Sequence, residues 1–168
     1  MRTDAKDRIV ATGRLKVGGV LVTEHLGMIS VQGTEDAQGI AGTILESLGA
    51  AGINTEFISC CPDIGGGATI CVSVAMDRFD SALDLVEGVR EDVGAQRIVT
   101  EKDLCAVVVF GPHFRETPNI ASRIYRALAD AGINILAVST SVSSVSSVFA
   151  QSRLGDALAS LRSHFDIP

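Results

Sequence analysis

The tetrapeptide Ala-Gly-Ile-Asn occurs twice in this chain of 168 residues, at Ala51–Asn54 and again at Ala131–Asn134. The match extends without a gap from GIAGTILESLGAAGIN (Gly39–Asn54) to NIASRIYRALADAGIN (Asn119–Asn134). Ile40, Ala41, Ile44, Leu48 and Ala51 recur at helical spacing, as do Ile120, Ala121, Ile124, Leu128 and Ala131. Each set forms one apolar stripe that needs a core to cover it. Gly52 and Gly132 fall where a helix ends in a left-handed cap. A strand-like run follows each, INTEFISCC and INILAVSTS.

The flanks repeat too. GMISVQG (Gly27–Gly33) and LCAVVVFG (Leu104–Gly111) read as strands ahead of the two helices, and the strand-to-helix loop is two residues longer in the second copy. ATICVSVAM (Ala68–Met76) and SVSSVFA (Ser144–Ala150) read as third strands. Second helices follow, marked by Phe79, Ala82, Leu83 and Val86, and by Leu154, Ala157, Leu158, Leu161 and Phe165. AQRIVTE (Ala95–Glu101) closes the first half, whereas the second half has no room for a closing strand before Pro168. The unpaired leading run LKVGGVLVTE (Leu15–Glu24) is therefore expected to cross over and fill that vacancy. The expected class is α+β: two ferredoxin-like βαββαβ domains, each a four-stranded antiparallel sheet with two helices on one face. The expected domains are 27–101, inserted, and 13–24 plus 104–168, with 1–12 a linker or tail. Open sheet faces and edges invite a partner, so the halves are expected to pair and the chain to form a homodimer.

Composition narrows the function. At 46% hydrophobic and 20% charged the chain is globular, and a net charge of −6 with no Trp and one Tyr disfavours nucleic-acid binding. No apolar run reaches the ~18 residues of a membrane span, and the polar start MRTDAKDRIVATGR has no signal-peptide core. Cys60, Cys61, Cys71 and Cys105 lack metal-ligand spacing and read as reduced thiols of a cytoplasmic protein. His25, His113 and His164 have no nucleophile or carboxylate at a motif spacing, so no catalytic residue, metal site or cofactor is expected.

VGGVLVTEHLGMISVQG (Val17–Gly33) resembles the opening of the regulatory half of aspartate kinases, and TPNIASRIYRALADAGINILAVSTS (Thr117–Ser141) is similar to that family's later helix and its strand ending in Ser-Thr-Ser. The resemblance runs from about Val17 to the end and implies two tandem ACT domains. In that family such a pair binds an end-product amino acid, lysine or threonine, and throttles the kinase; some members make it as a separate small subunit. It implies a free amino acid and a kinase catalytic subunit as partners. The family's kinase motif K-F-G-G-T does not occur here. DIGGGAT (Asp63–Thr69) is the one glycine cluster; it lies between strands and reads as a flexible hairpin.

A free amino acid needs donors for its carboxylate and an anion for its ammonium. A helix N-terminus supplies the first and a carboxylate the second. The loop TEDAQGIA offers Asp36 and the backbone of Gln38, Gly39, Ile40 and Ala41; the resemblance matches Asp36 to a ligand-contacting Asp, while an N-cap serves equally well from sequence physics. In the second half Thr117 and Pro118 read as cap and first helical residue, and Asn119 stands where the family has Gly. Asn54 and Asn134, at the starts of the following strands, reach a ligand across an interface or support the turn. Ser139 and Thr140, in the Ser-Thr-Ser ending, complete the set with Cys60 and Cys61, which replace the family's Gln-Asn. Thiols bond weakly, so an ACT-fold interaction subunit without effector binding stands as the alternative. His113 and Arg115 meet a partner chain or solvent. The serines from Ser141 to Ser152 offer hydroxyls or line a solvent face.

Overall fold

The computed structural model describes residues 14–34, 39–63, 66–112, 114, 116 and 118–168; the expected linker 1–12 lies outside them. The elements are β1 (Leu15–Lys16), β2 (Gly19–Thr34), α1 (Ile40–Ala50), β3 (Phe57–Pro62), β4 (Ala68–Ala75), α2 (Phe79–Gly88), β5 (Arg97–Phe110), α3 (Ile120–Asp130), β6 (Ile135–Thr140), β7 (Ser144–Ala150), α4 (Leu154–His164) and β8 (Phe165–Asp166). The repeated order β-α-β-β-α is thus present in both halves.

The Ala-Gly-Ile-Asn repeats are helix terminators. Gly52 and Gly132 adopt φ 67° and 69°, which lets the Ile53 and Ile133 amides turn back onto the Leu48 and Leu128 carbonyls at 3.0 and 3.1 Å. Both isoleucines are buried. An arginine completes each cap, a second repeat not evident in the letters. Arg78 Nη2 donates to the Ala51 carbonyl at 3.2 Å, and Arg153 Nη2 donates to that of Ala131 at 2.8 Å.

Each half has the four-stranded antiparallel sheet expected, and the two are joined through their shared strands into one six-stranded ladder, ordered β3-β4-β2-β5-β7-β6. Gly19–Glu24 of the leading run merges with Gly27–Gly33 into β2, its first residues Leu15–Lys16 forming β1, and the runs Ala95–Glu101 and Leu104–Gly111 together supply β5. The leading segment does complete the second half: Gly19–Thr23 pairs antiparallel with Phe110–Ala106, while Met28–Gln32 pairs with Glu101–Arg97 in the first half. His25 and Asp103, both at φ 57°, sit at the joint, where the register shifts between Thr23 and Leu26. A non-glycine residue at positive φ is uncommon, and two at one joint break the pleat without breaking the strands. The second half also ends in a short strand that sequence reading left out. β8 pairs in parallel with β1, so Phe165 leaves the helical stripe for an extended backbone while staying buried.

Three cores follow from this layout. Ile29, Val31, Ile44, Leu48, Val72 and Phe79 join the first sheet half to α1 and α2. Val107, Val109, Ile124, Leu128, Phe149 and Leu161 do the same for α3 and α4. On the helix-free faces, Leu26, Met28, Phe57, Leu104, Ala106 and Val148 form a third core shared by both halves, and the outer strands β3 and β6 approach one another.

Gly27 lies under the Phe79 ring, where a Cβ would come within 2.1 Å of the ring. Gly27→Ala is expected to lower unfolding stability by about 1–3 kcal/mol through overpacking. Gly42→Ala, in α1 with nothing within 4 Å of the added carbon, should raise it by about 0.5–1 kcal/mol. Urea denaturation of the two variants checks both signs.

Candidate functional site

Helices α1 and α3 begin alike. The residue before each, Gly39 and Asn119, is left-handed at φ 96° and 70°, and neither helix start carries a side-chain cap. Glycine adopts this backbone freely and Asn tolerates it, so Asn119 satisfies the conformation that Gly39 supplies in the first half. Pro118 stands ahead of that turn, and the first helical residue is Ile120, two positions later than expected. The left-handed step at Asn119 delays the helix. The Gly39 and Asn119 carbonyls accept the amides of Thr43 and Arg123 at 2.9 and 3.0 Å, and the Ser122 hydroxyl donates to Asn119 at 2.8 Å. The earlier amides of each first turn lack an intrahelical acceptor, as at any helix start.

In the second half this start opens onto a cavity of about 290 Å³ lined by Phe114, Pro118, Asn119, Ile120, Ala121, Thr140, Ser141 and Val145. Thr140 is thus brought to the α3 N-terminus. Its neighbour Ser139 pairs with Ser146 and alternates to the other sheet face. Ser141 is spent on its turn: its hydroxyl contacts that of Ser144 at 2.8 Å and accepts the Ser144 amide at 3.1 Å. Ser147 is buried, so the serine run is not one solvent face.

In the first half, Asp36 and Gln38 lie outside the described residues, as do His113, Arg115 and Thr117 of the second. Ile40 is buried, Ala41 half-buried and Gly39 exposed. Counting from the shared Ala-Gly-Ile-Asn, Cys60 is the counterpart of Thr140. Cys60 and Cys61 are exposed free thiols on opposite faces of β3. Asn54 and Asn134 are exposed at the far ends of the helices. Eleven residues make a helix of about 16 Å, so neither Asn shares a site with its own half's helix start.

Sequence reading missed Asp63. Its carboxylate accepts the Gly33 amide at 3.1 Å and the Thr69 hydroxyl at 3.0 Å. Beside it Thr34 Oγ1 donates to the Ala68 carbonyl at 3.0 Å and accepts the Ala68 amide at 3.2 Å. The ends of the glycine-rich hairpin are therefore anchored to the end of β2. A Cβ on Gly67 would stand 2.0 Å from the Thr34 carbonyl oxygen, which explains a glycine there. The clue in the sequence was the Asp and Thr bracketing the glycines.

Cys71 Sγ lies 3.3 Å from Ser30 Oγ. Cys105 is fully buried; desolvation first, then the charge of Glu24, pushes its thiol up to about 11. Among the described residues no group of His, Cys, Asp or Glu is placed to hold a metal ion, and no helix is long and apolar enough to cross a membrane.

Two α+β halves, each with a left-handed turn into its first helix and sharing two long strands, are the build of paired ACT domains, and residues 107–165 match the ACT domain family. The chain has the architecture of the ACT-domain regulatory region of aspartate kinases. It is 25% identical over 151 residues to aspartate kinase Ask_LysC of Stutzerimonas stutzeri, covering 90% of this chain and 37% of that protein. It is 26% identical over 155 residues to aspartokinase 2 of Bacillus subtilis, covering 91% and 37%. The chain thus spans little more than a third of these relatives' length. The crystal structure of aspartokinase alpha and beta subunits superposes with a TM-score of 0.79 at 26% identity, covering 88% of this chain and 97% of the matched one. The fold also matches the regulatory subunit of aspartate kinase from Thermus flavus, with a TM-score of 0.81 at 24% identity over 90% of this chain and 99% of that one. The likeness therefore falls on the regulatory part of aspartate kinases and not on a catalytic domain.

At pH 8 a thiol reagent should modify Cys60 and Cys61 in the native protein within minutes, whereas Cys105 should react only after denaturant is added. Burial and a raised pKa both keep it protonated. Peptide mapping of the labelled sites before and after unfolding checks the order.

Proposed function

We propose that this chain is a non-catalytic regulatory module that binds a free end-product amino acid of the lysine or threonine class and adjusts the activity of an aspartate-kinase-type catalytic partner. The cavity at the α3 N-terminus carries this reading. First-turn amides at Ile120 and Ala121 suit a carboxylate, and Thr140 adds a hydroxyl. In the first half the same role falls to the backbone of Gly39, Ile40 and Ala41, with Gln38 beside them and Asp36 taking the ammonium. Asn54 and Asn134 contribute from a second protomer, because within one chain they stand at the wrong end of their helices. The module associates with itself and with a kinase half, and acts in the cytoplasm. We read its domains as 27–101 and 13–24 plus 104–168.

The energetics are undemanding. Sensing at millimolar to micromolar concentration takes about 4–8 kcal/mol. A cavity near the ~300 Å³ lower bound of ligand sites suits a small metabolite. A ligand that favours one arrangement of a neighbouring subunit shifts that subunit by about 1–3 kcal/mol.

A second reading keeps the fold and its surfaces but omits the effector. Cys60 and Cys61 favour it, since thiols are poor substitutes for amide side chains.

L-Lysine and L-threonine, within a panel of amino acids, decide between the two by thermal shift. A ligand at a hundred times its Kd adds about 2.7 kcal/mol to the stability of the native form. Thr140→Val should weaken that ligand about five- to tenfold, the loss of one hydrogen bond of ~1 kcal/mol, and Asp36→Ala should weaken it further, both without lowering the melting temperature of the free protein. No shift with any amino acid would establish the effector-free reading.

A further inference from the structure

Each half has an equivalent outer strand bonded on one side only. In the first half it is Arg97–Glu101 of β5, which pairs with β2, while β7 begins its pairing at Leu104. In the second it is Gly19–Thr23 of β2, which pairs with β5, while β4 begins at Leu26. The two edges are protected differently. Arg97, Thr100, Glu101 and Lys102 are all exposed on the first, a charge-studded border that discourages pairing. The second presents Leu21, 60% exposed, and Val22, 37% exposed, with the single charge at its far end, Glu24. Beside it lies an apolar cavity of about 320 Å³ in which Val20, Leu21, Val22, Leu158 and Ile167 surround Arg162.

We infer that Gly19–Glu24 pairs antiparallel with the same strand of a second copy of this chain. Charge placement selects that occupant. Residues directly opposite in an antiparallel pair share a sheet face, so a two-fold axis normal to the sheet must place one residue opposite itself. With Leu21 on the axis, Glu24 of the partner subunit falls opposite Gly18; with Val22 on the axis, it falls opposite Val20. Both positions line the cavity that holds Arg162. The face agrees as well. Val20 packs into the core under α3 and α4, and by alternation Val22 and Glu24 point to that same face, where α4 carries Arg162. Arg162 has no ion pair among the described residues, and the one hydrogen-bonding partner of the Glu24 carboxylate there is the neutral Gln151 amide at 3.5 Å. The edge is thus self-complementary: apolar at its centre, acidic at one end and basic at the other. The contact is isologous and closes after two copies.

This rests on and deepens the self-association included in the proposed function. Size-exclusion chromatography with light scattering on the full chain tests it with Val22→Lys, Glu24→Arg, Arg162→Glu and the double variant Glu24→Arg/Arg162→Glu, each checked for an unchanged melting temperature at a concentration where the parent is dissociated. Each single variant should reduce the parent's mass to about half at equal concentration, and the double variant should restore it. A parent that self-associates while Val22→Lys keeps the full mass, or a double variant that stays at half mass, overturns this surface and leaves self-association standing. A parent that is monomeric at every concentration overturns both. Effector binding is read from amino-acid thermal shifts of the parent chain and the pairing surface from the masses of the variants, which separates failure here from failure of the effector reading.

Discussion

The pairing of β2 with β5 is the contact on which the rest of the molecule depends. These strands, 16 and 14 residues long, pass through both halves, each serving as a central strand in one and as an outer strand in the other. Ordinary strands run about 5–6 residues. Here one ladder does the work of two, and it ties the halves together through backbone hydrogen bonds as well as through side chains. The second half completes its sheet only with the leading segment Gly19–Thr23, which precedes the first half in the chain. The third core, built on Leu26, Met28, Leu104 and Ala106, fastens the same two strands on their helix-free face.

That constraint bears on regulation. β2 ends at Thr34, five residues before the left-handed Gly39 that precedes α1, and Asp63 and Thr34 pin that end to the β3–β4 hairpin. At its other end β2 lies against Phe110, the last residue of β5, beyond which Gly111 leads toward α3. The two helix starts are therefore joined along the full length of a paired strand, about 50 Å, rather than by a loose linker. A ligand that tightens one helix start acts on strands shared with the other half. His25 and Asp103, the two left-handed residues in that path, are the place where the halves can change their relative angle without unpairing the ladder.

Much of this was legible in the residues, and the reasons are physical. The helices announced themselves because an 11-residue amphipathic stripe closed by Gly in a left-handed cap has few other ways to fold. The donated strand was legible by counting, since one half had a strand too few. That the strands fuse into one sheet was not legible. Glu24–Gly27 and Lys102–Asp103 look like turns because they are polar or carry glycine, and in each a single left-handed residue, His25 or Asp103, kinks the strand without ending it. Pro118 misled for a related reason: its fixed φ suits a helix start, but Asn119 behind it takes the left-handed turn that its repeat partner Gly39 also takes. Asp63 was invisible because its partners, Gly33 and Thr69, are contacts of the folded chain, 30 and 6 residues away.

The two halves share a frame but not a chemistry. The repeat places Cys60 where the second half has Thr140, and leaves an exposed thiol on β3 and a hydroxyl beside a formed cavity at the α3 start. A hydroxyl donates and accepts well, whereas a thiol does both poorly. If each half held a small polar metabolite through the same backbone amides, the difference in side chains would still separate them. The second half offers a hydroxyl at Thr140 to a ligand bearing a polar group, where the first offers the Cys60 thiol. A duplicated fold that has drifted this way has reason to keep both copies even if one binds weakly, because both sheets are built on the same two long strands, β2 and β5.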